Sequence, residues 1–388
     1  MQNLSITAPC HFGLETVLKK EIYDLGYDIT HVEDGRVTFA GDEEALCRAN
    51  IWLRTAERVL LEVGRFRAVT FDELFEGIRA LPWERYIPKN GRFWVTKASS
   101  VKSALFSPSD IQSIVKKAIV ERLKNVYHME WFPEDGAAYP LRVFLMKDEV
   151  CVTLDTSGES LHKRGYRTLH GLAPISETLA ASLILLTPWK KDRILVDPFC
   201  GSGTFLIEAA LMAANAAPGM HRRFTAQAWE NLIDTSVWEE LRDEAEELVD
   251  LNADPDLQGY DADGSVLRAA RENADRAGVG DMIHFQERPV KALRHPGKYG
   301  FVITNPPYGE RMEEKKALPR IYGDFADALD HLDTWSVYLI SSYTDTEKYL
   351  RRKAVKKRKV YNGMIRADFY MIPGPRPPKR SSAHREES

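Results

Sequence analysis

The chain has 388 residues, of which 44% are hydrophobic and 28% are charged, and its formal net charge is −4. This length suits two or three domains with hydrophobic cores, and the composition argues against a disordered, collagen-like or disulfide-rich protein. No apolar run reaches about 18 residues, and the N-terminus lacks a basic start followed by an apolar stretch. We therefore expect neither a membrane span nor a secretory signal.

The first 155 residues predict two small regions of mixed helices and strands. Residues 1–65 predict strand, helix, strand and helix in the segments LSITAPC, GLETVLKKEIYDLGY, RVTFAG and EEALCRANIWL. Residues 66–155 predict a helix in FDELFEGIRAL, a strand in FWVTKASS, a helix in SPSDIQSIVKKAIVERLKN and a hairpin around Lys147 and Asp148. Small α/β lobes of this kind often serve as binding modules.

A third region begins after the segment HKRGYRTLHGLAP. It opens with the helix ISETLAASLILLTPW, for which Ser176 is the expected N-cap. Strands are then predicted in ILVDPF, QGYDAD, MIHFQE, FVITNPP and SVYLISS, with loops and helices between them. This alternation indicates a doubly wound, mostly parallel sheet. The last residues, GPRPPKRSSAHREES, predict a loose tail.

The charges are strongly segregated along the chain. Residues 229–256 hold eleven acidic residues and one basic residue, a local charge of −10. Residues 348–360 hold eight basic residues and no acidic one, a local charge of +8. The acidic run is typical of a solvent-exposed helix face. The basic run fits a phosphate-facing surface or, equally well, an ordinary exposed strand or helix margin.

The cysteines and histidines indicate no catalytic or metal site. The four cysteines are Cys10, Cys47, Cys151 and Cys200. They are far apart and lack zinc-ligand spacing, which predicts reduced thiols in a cytoplasmic protein. His11, His162 and His170 have no carboxylate partner at an informative spacing.

The segment ILVDPFCGSGTFLIEAAL carries the strongest local pattern. Asp197 ends a buried strand, the residues from Gly201 to Gly203 form a tight turn, and Thr204 begins a helix. Such a turn offers a ligand backbone N–H groups and a helix N-terminus. No lysine follows the loop, which argues against a P-loop NTPase, and the third glycine of a dinucleotide fingerprint is missing. The pattern therefore argues against a nicotinamide-dependent oxidoreductase.

The segment LQGYDAD supplies a carboxylate at the end of the next strand. An ionised acid there can accept hydrogen bonds from both hydroxyls of a ribose. Asp261 is the candidate and Asp263 the alternative. The acid follows Gly201 by about sixty positions, rather than the roughly twenty of dinucleotide enzymes, because a helical insertion intervenes.

The segment FVITNPPYGER places Asn305, Pro306, Pro307 and Tyr308 directly after a strand. Pro-Pro can serve merely to end a strand. The Asn305 side-chain oxygen and the Pro306 carbonyl, however, are two acceptors on a rigid frame, which suits both N–H groups of an exocyclic base amine. Tyr308 could stack on the base. Catalysis of this kind rests on positioning and electrostatics rather than on a strong base.

Taken together, DPFCGSGT, GYDAD and NPPYGER resemble the Rossmann-like, S-adenosylmethionine-dependent methyltransferases that modify exocyclic amines of nucleic-acid bases. APCHFGLE and LHKRGYR, with APISETLAASL after them, resemble the bacterial THUMP-domain RNA guanine-N2 methyltransferases. The chain also resembles the first half of the bifunctional guanine-N2 methyltransferase of large-subunit ribosomal RNA. It covers the chain to about residue 375.

The resemblance implies a fold and a domain plan. The expected fold is α/β: a class I methyltransferase with a doubly wound, mostly parallel sheet, preceded by small α+β ferredoxin-like and THUMP lobes. Residues 1–160 would bind RNA, with the THUMP domain at roughly 45–155. Residues 161–376 would form the methyltransferase domain, and 377–388 a disordered tail.

The resemblance also implies roles for individual residues. The residues expected to bind S-adenosylmethionine are Asp197, Pro198, Gly201, Ser202, Gly203, Thr204, Asp261 and Glu287. Glu287 is a substitute, because Pro289 stands near the place where such families often have an acid for the adenine. Asn305, Pro306, Pro307 and Tyr308 would hold the target amine. From their charge, Lys163, Arg164 and Arg167 would either contact RNA phosphates or brace the domain junction.

The expected activity is methylation of a guanine N2 amine in 23S ribosomal RNA, on the RNA itself or on a ribosome-assembly intermediate. The sulfonium is already an activated donor, so no metal is expected. The alternatives are an adenine-N6 methyltransferase of RNA or DNA, a tRNA guanine-N2 methyltransferase, and a non-catalytic RNA-binding factor with a relic methylase domain. The sequence leaves open the RNA, the nucleotide and the oligomeric state.

Overall fold

The computed structural model describes residues 3–167, 175–309 and 312–378, apart from the side chains of 312–314. His170 and the last ten residues of the expected tail lie outside this part. The chain divides into two compact units. The first contains Met1–Arg164 and Ala216–Val249, and the second contains Gly165–Asn215 and Asp250–Ser388.

The N-terminal segment of the first unit alternates short helices and strands. In chain order they are β1 (Leu4–Pro9), α1 (Glu15–Asp24), β2 (Ile29–Glu33), β3 (Arg36–Gly41), α2 (Glu43–Trp52), β4 (Leu60–Arg67), α3 (Phe71–Ala80), β5 (Arg92–Val101), α4 (Pro108–Tyr127), β6 (Ala138–Met146) and β7 (Glu149–Asp155). α2, α3 and α4 begin at polar N-caps, whereas α1 begins after Leu14 without a side-chain cap. The side chain of Asp42 accepts from Ala45 N at 3.0 Å, and Thr70 and Glu73 form a capping box.

A single seven-stranded sheet runs through this segment, in the order β2-β3-β1-β4-β7-β6-β5. Its neighbours are antiparallel except for β5 and β6. The predicted hairpin between β6 and β7 is confirmed, and its two turn residues, Lys147 and Asp148, have φ of 52° and 67°. A turn of this handedness matches the twist of the paired strands.

The remaining elements follow the link that begins at residue 156. They are α5 (Glu177–Leu185), β8 (Leu195–Asp197), α6 (Thr204–Ala213), α7 (Thr235–Glu247), β9 (Leu257–Asp261), α8 (Gly264–Arg276), β10 (Ile283–Glu287), β11 (Phe301–Thr304), α9 (Met312–Leu329), β12 (Ser336–Ser341), α10 (Thr346–Leu350), β13 (Lys356–Asn362) and β14 (Ile365–Ile372). Among the described helices, none is long and apolar enough to cross a membrane.

The insertion between α6 and β9 packs within the first unit. Trp229 is fully buried there; its indole donates to Ala138 O at 2.8 Å and its ring stacks on Tyr139 at 5.1 Å. Arg48 of α2 binds both carboxylate oxygens of Glu244 at 2.6 and 2.8 Å. The helix α7 that carries Glu244 holds six acidic residues, of which all but Glu244 are exposed, as the sequence predicts.

The second unit is a doubly wound α/β structure with strand order β10-β9-β8-β11-β12-β14-β13. The first five strands in this order are parallel, while β14 runs antiparallel to both β12 and β13. The five strands predicted for this region and its fold class are confirmed. The hairpin of β13 and β14 was not predicted as such.

The packing of the insertion predicts a large loss of stability for the truncation Trp229→Ala. We expect it to lower the free energy of unfolding of the first unit by about 3–5 kcal/mol, because a large buried ring and its hydrogen bond are both lost. Trp131→Ala is the matched control, since its ring is 72% exposed. Urea unfolding of both variants checks this, and equal losses would contradict the packing role of Trp229.

Candidate active site

The candidate site is built where β8, β9 and β11 end. Parallel pairing aligns Asp197 with Gly259 and Val302 with Val196, so the carboxyl ends of the three strands meet at one edge of the sheet. Asp197, Asp261 and Asn305 stand at or directly after these ends. In open α/β sheets this edge is where ligands bind.

The glycine turn after β8 is fixed by its backbone. Cys200 N donates to Tyr260 O at 2.9 Å, and Gly203 N donates to Cys200 O at 2.8 Å. Gly201 and Gly203 have φ of +49° and +83°, which favours glycine. A Cβ on Gly203 would lie 3.1 Å from the Phe285 ring, whereas a Cβ on Gly201 would meet no atom within 4 Å. The backbone at Gly201 therefore faces open space that a ligand can approach.

Asp261 is attached to this turn. Its Oδ2 accepts from Gly201 N at 3.0 Å and its Oδ1 from Asp263 N at 3.1 Å, and burial raises its pKa. Asp263 instead caps α8, accepting from the N–H and hydroxyl of Ser265 at 2.8 and 2.6 Å. Of the two acids considered from the sequence, Asp261 is thus the one that contacts the glycine turn.

Asp197 is the buried acid of the site. Its Oδ1 accepts from the Thr304 hydroxyl at 2.6 Å and from Phe199 N at 3.1 Å. Burial raises the pKa of Asp197 to about 7, and the charge of Asp261 adds to the rise. The Thr304 bond joins the end of β8 to the end of β11. Thr304 was missed by sequence reasoning, since no motif marks it.

The Asn-Pro-Pro-Tyr segment leaves β11 directly after Thr304. Asn305 is half-buried, and its Oδ1 accepts a hydrogen bond from the Tyr308 hydroxyl. An amide oxygen has a second lone pair, so it can still accept from a ligand. Pro306 is buried, and the carbonyl of Pro307 lies 3.4 Å from the Tyr322 hydroxyl.

Tyr322 supports the segment from α9. Its hydroxyl lies 2.7 Å from Ser341 Oγ, at the end of β12, and the Thr346 hydroxyl donates to Ser341 Oγ at 3.0 Å. Burial raises the pKa of Tyr322 to about 12. A neutral phenol therefore holds the loop at neutral pH.

The other expected cofactor residues lie around the same edge. Glu287 ends β10 opposite Asp261 in the parallel register and is exposed. Thr204 begins α6, and the backbone oxygen of Ser202 accepts from Asn273 Nδ2 at 3.2 Å. Pro198 joins Asp197 to the turn. Their contacts with a cofactor stay predictions.

The three basic residues expected near RNA differ in their surroundings. Lys163 is exposed and pairs with Glu159 at 3.2 Å. Arg164 donates to Leu161 O at 2.7 Å and to Arg54 O at 2.5 Å. Both acceptors of Arg164 belong to the first unit. A contact of Lys163 or Arg164 with RNA, or a role at the domain junction, stays a prediction.

Arg167 lies inside the second unit. It donates to Thr204 Oγ1 at 2.6 Å and to Ile175 O at 3.0 Å, and it lies 3.5 Å from Glu177. Its guanidinium thus holds the first residue of α6. RNA contact stays a prediction for Arg167 as well.

Glu57 is a further residue that sequence reasoning missed. Its carboxylate lies 3.1 Å from His11 Nε2, 3.1 Å from His162 Nδ1 and 3.1 Å from Ser160 Oγ. The segments APCHFGLE and LHKRGYR, far apart in the sequence, therefore meet on one carboxylate. Within the described residues, no cluster of His, Cys, Asp or Glu side chains is suited to a metal ion.

Family models match almost the whole chain in three parts. An RlmL ferredoxin-like domain matches residues 5–60, a THUMP domain matches 68–155, and an RMKL-like methyltransferase domain matches 164–370. This chain belongs to the THUMP-containing, RlmL-like family of S-adenosylmethionine-dependent methyltransferases. The resemblance seen in its sequence motifs is confirmed.

The chain is also similar to individual proteins over nearly its whole length. "Putative RNA methyltransferase YpsC" of Bacillus subtilis strain 168 is 47% identical over 372 residues, which cover 95% of this chain and 96% of that protein. A solved structure from Listeria monocytogenes, described as a "predicted N6-adenine-specific DNA methylase", is 46% identical with a TM-score of 0.91, covering 97% of each chain. SMU.472, "a putative methyltransferase complexed with SAH", is 41% identical with a TM-score of 0.91, covering 97% of this chain and all of the other.

The raised pKa of Asp197 predicts a pH-dependent stability. An unfolded chain ionises this acid near 3.8, whereas the folded chain retains the proton until about pH 7. The folded state therefore loses stability as the pH rises through this range. Asp197→Asn keeps an acceptor oxygen for Thr304 and cannot ionise. We expect its thermal midpoint to exceed that of the wild type at pH 8 and the difference to shrink toward pH 4.

The exposed Asp192 provides the control for this measurement. Asp192→Asn removes one carboxylate but leaves the hydrogen bond between Asp197 and Thr304 intact. Its thermal midpoint should therefore follow that of the wild type across the same pH range. A difference between Asp197→Asn and wild type that does not change with pH would show that the buried acid does not control this stability.

Proposed function

We propose that the chain transfers a methyl group from S-adenosylmethionine to the N2 amine of a guanine in 23S ribosomal RNA, free or in a ribosome-assembly intermediate. One observation carries the proposal. The glycine turn after β8 and the Asn305–Pro306 corner after β11 lie at the ends of adjacent strands, joined by the bond between Asp197 and Thr304. A donor on the turn would thus lie beside an amine held at the corner.

The residues at the edge fit the parts of this donor. The open backbone at Gly201 and the N-terminus of α6 suit its methionine end, together with Asp197, Pro198, Ser202, Gly203 and Thr204. Asp261 has acceptor oxygens for the ribose hydroxyls. Glu287, one strand further, is the residue we assign to the adenine. When bound, the sulfonium supplies an activated methyl group, so the chemistry needs no metal.

The Asn305 oxygen and the Pro306 carbonyl would accept the two N–H bonds of the amine. The amine lone pair is delocalised into the base, so holding both N–H groups favours a pyramidal nitrogen whose lone pair points at the methyl group. The N–C bond would form as the S–C bond breaks, S-adenosylhomocysteine would leave, and the amine proton, acidic only at that point, would pass to water. Tyr308 would stack on the base and Pro307 would stiffen the corner, and the base must leave its own stack to reach them.

The domain plan follows the same proposal. Residues 1–160, in which the THUMP match spans 68–155, would hold structured RNA, and residues 161–376 would carry out the transfer. The four cysteines are unpaired and buried, which suits a reducing, cytoplasmic setting.

The corner would also accept the N6 amine of adenine, which is the strongest alternative. The name of the Listeria monocytogenes relative refers to that base, whereas the name of the Bacillus subtilis relative refers to RNA. A tRNA guanine is a further alternative substrate.

Mass spectrometry of nucleosides separates these substrates. Purified protein and S-adenosylmethionine are incubated in parallel with 23S ribosomal RNA, tRNA and double-stranded DNA, each isolated from a strain that lacks the gene. We expect N2-methylguanosine in 23S ribosomal RNA alone. N6-methyladenine in any sample, or N2-methylguanosine in tRNA only, would replace the proposal by the corresponding alternative. No methyl transfer to any of them would favour a non-catalytic RNA-binding role.

The two halves of the site should respond differently to truncation. Asn305→Ala should keep its affinity for S-adenosylhomocysteine and lose about 10²–10³-fold in turnover, because one aligned acceptor is gone. Asp261→Ala, the matched variant of the other half, should weaken that affinity, measured by calorimetry. Full turnover in Asn305→Ala would contradict the amine role, and an unchanged dissociation constant in Asp261→Ala would remove Asp261 from the cofactor site.

A further inference from the structure

The basic run identified in the sequence forms the outer edge of the catalytic sheet. Strand β13 is the last strand in the order, and β14 is its neighbour among the described strands. We call the segment from Lys356 to Ile372 the basic hairpin. Its residues 356–366 contain five basic residues and no acidic one.

Part of the positive charge of the basic run is neutralised within the fold. Arg351 bonds to Asp327 at 2.5 Å and to Asp330 at 3.1 Å. Lys357 bonds to Glu347 at 2.8 Å. Arg351 and Lys357 therefore already have acidic partners within the chain, and their charges need no external ligand.

Other basic residues of the hairpin are exposed and have no such contact. Lys356, Lys359 and Arg366 are exposed, and within the part of the chain that the structure describes none of them forms an ion pair. Asp368 faces Lys359 in the register and is the nearest acid along the strands. Side chains of like charge at one sheet edge repel each other, so a polyanion that replaces their counterions would bind there favourably.

Strand register places Lys359 and Arg366 toward the same end of the sheet as Asn305, where the parallel strands have their carboxyl ends. Thr304 is aligned with Leu339, Leu339 with Tyr370, and Tyr370 with Lys357. Lys359 is two residues further along β13, and therefore lies beyond the row in which Thr304 ends β11. The step from β11 to β13 crosses three strand spacings, about 14 Å.

Lys359 and Arg366 also share one face of the hairpin. Val360 is buried, so Lys359 and Tyr361 point to the opposite face. Arg366 is directly opposite Tyr361 in the register and shares that face. The two cations are diagonal neighbours, about 7–8 Å apart.

From this placement we infer that the basic hairpin binds the RNA backbone through Lys359 and Arg366, beside the corner that holds the target base. Lys356, three residues before Lys359 on β13, points to the opposite face and is not part of this surface. The inference rests on the proposed RNA substrate and adds a contact surface inside the methyltransferase unit. Phosphates that flank the target nucleotide would meet it while the base occupies the corner.

A pair of double variants tests the surface. Lys359→Gln with Arg366→Gln removes two charges from the hairpin. Lys190→Gln with Lys298→Gln is the matched control, because both lysines are exposed in the same unit but precede β8 and β11, at the opposite edge of the sheet. Each protein is titrated with a 23S ribosomal RNA transcript at several salt concentrations, without methyl donor. Thermal midpoints and affinity for S-adenosylhomocysteine check the fold.

We expect the hairpin variant to lose about tenfold in RNA affinity and the slope of log affinity against log salt to fall by about 1.5, because two phosphate contacts are lost. The control should match the wild type. Equal RNA titrations for the two variants would overturn the inference. Self-association of the hairpin variant, with an unchanged slope of log RNA affinity against log salt, would also overturn the inference. The charges would then serve only to prevent pairing between the exposed sheet edges of two molecules.

Two further arms make the result specific. Vesicles of anionic phospholipid are offered to the same proteins, and hairpin-dependent vesicle binding with unchanged RNA binding would overturn the inference in favour of a membrane surface. Nucleoside analysis of the methylated product tests the proposed function independently of the RNA-binding surface. Loss of RNA affinity in the hairpin variant supports the surface even if the product is not N2-methylguanosine, and that product with unchanged affinity would retain the proposed function without the surface.

Discussion

The buried hydrogen bond between Asp197 and Thr304 is the interaction on which the rest of the site depends. It joins the last residue of β8 to the last residue of β11, so the turn and the corner that follow them have fixed relative positions. A carboxylate in so dry a place is costly unless donors reach it, and Thr304 and Phe199 N supply two. The bond therefore both stabilises the buried acid and holds the ends of β8 and β11 together.

The surroundings of this bond are arranged to keep both segments rigid. On one side, Gly201 is bonded to Asp261, and Arg167 holds the first residue of α6. On the other, the phenol of Tyr322 reaches the Pro307 carbonyl. Because catalysis by alignment loses rate steeply with small displacements, this rigidity is what such chemistry needs.

The sequence predicts well whatever is local or periodic. The five parallel strands were visible because short apolar runs end in turn residues, and α4 because Ser107 caps an amphipathic run. β2 and β4 were not singled out, since neither shows a clear apolar alternation that separates it from its flanks. β13 was not predicted, because its basic run fits a phosphate-facing surface as well as an ordinary exposed strand or helix margin.

Motif residues were located correctly at one edge of the sheet because their positions follow from strand ends. What could not be predicted are contacts set by tertiary packing. Thr304 carries no motif, and the pairing of Glu57 with His11 and His162 joins three distant parts of the chain. The assignment of the insertion to the first unit is of the same kind, since it depends on the burial of Trp229.

That insertion has a consequence for the architecture. The polypeptide passes from the first unit to the second after Arg164, returns at Ala216 and leaves again after Val249. Three covalent crossings therefore tether the two units, where a simple tandem arrangement has one. Truncation after residue 164 would remove from the first unit the tryptophan that stacks on Tyr139. It would also leave the acidic helix α7 on a fragment that lacks the rest of that unit. Any exchange of catalytic modules between such enzymes has to move residues 216–249 with the N-terminal half.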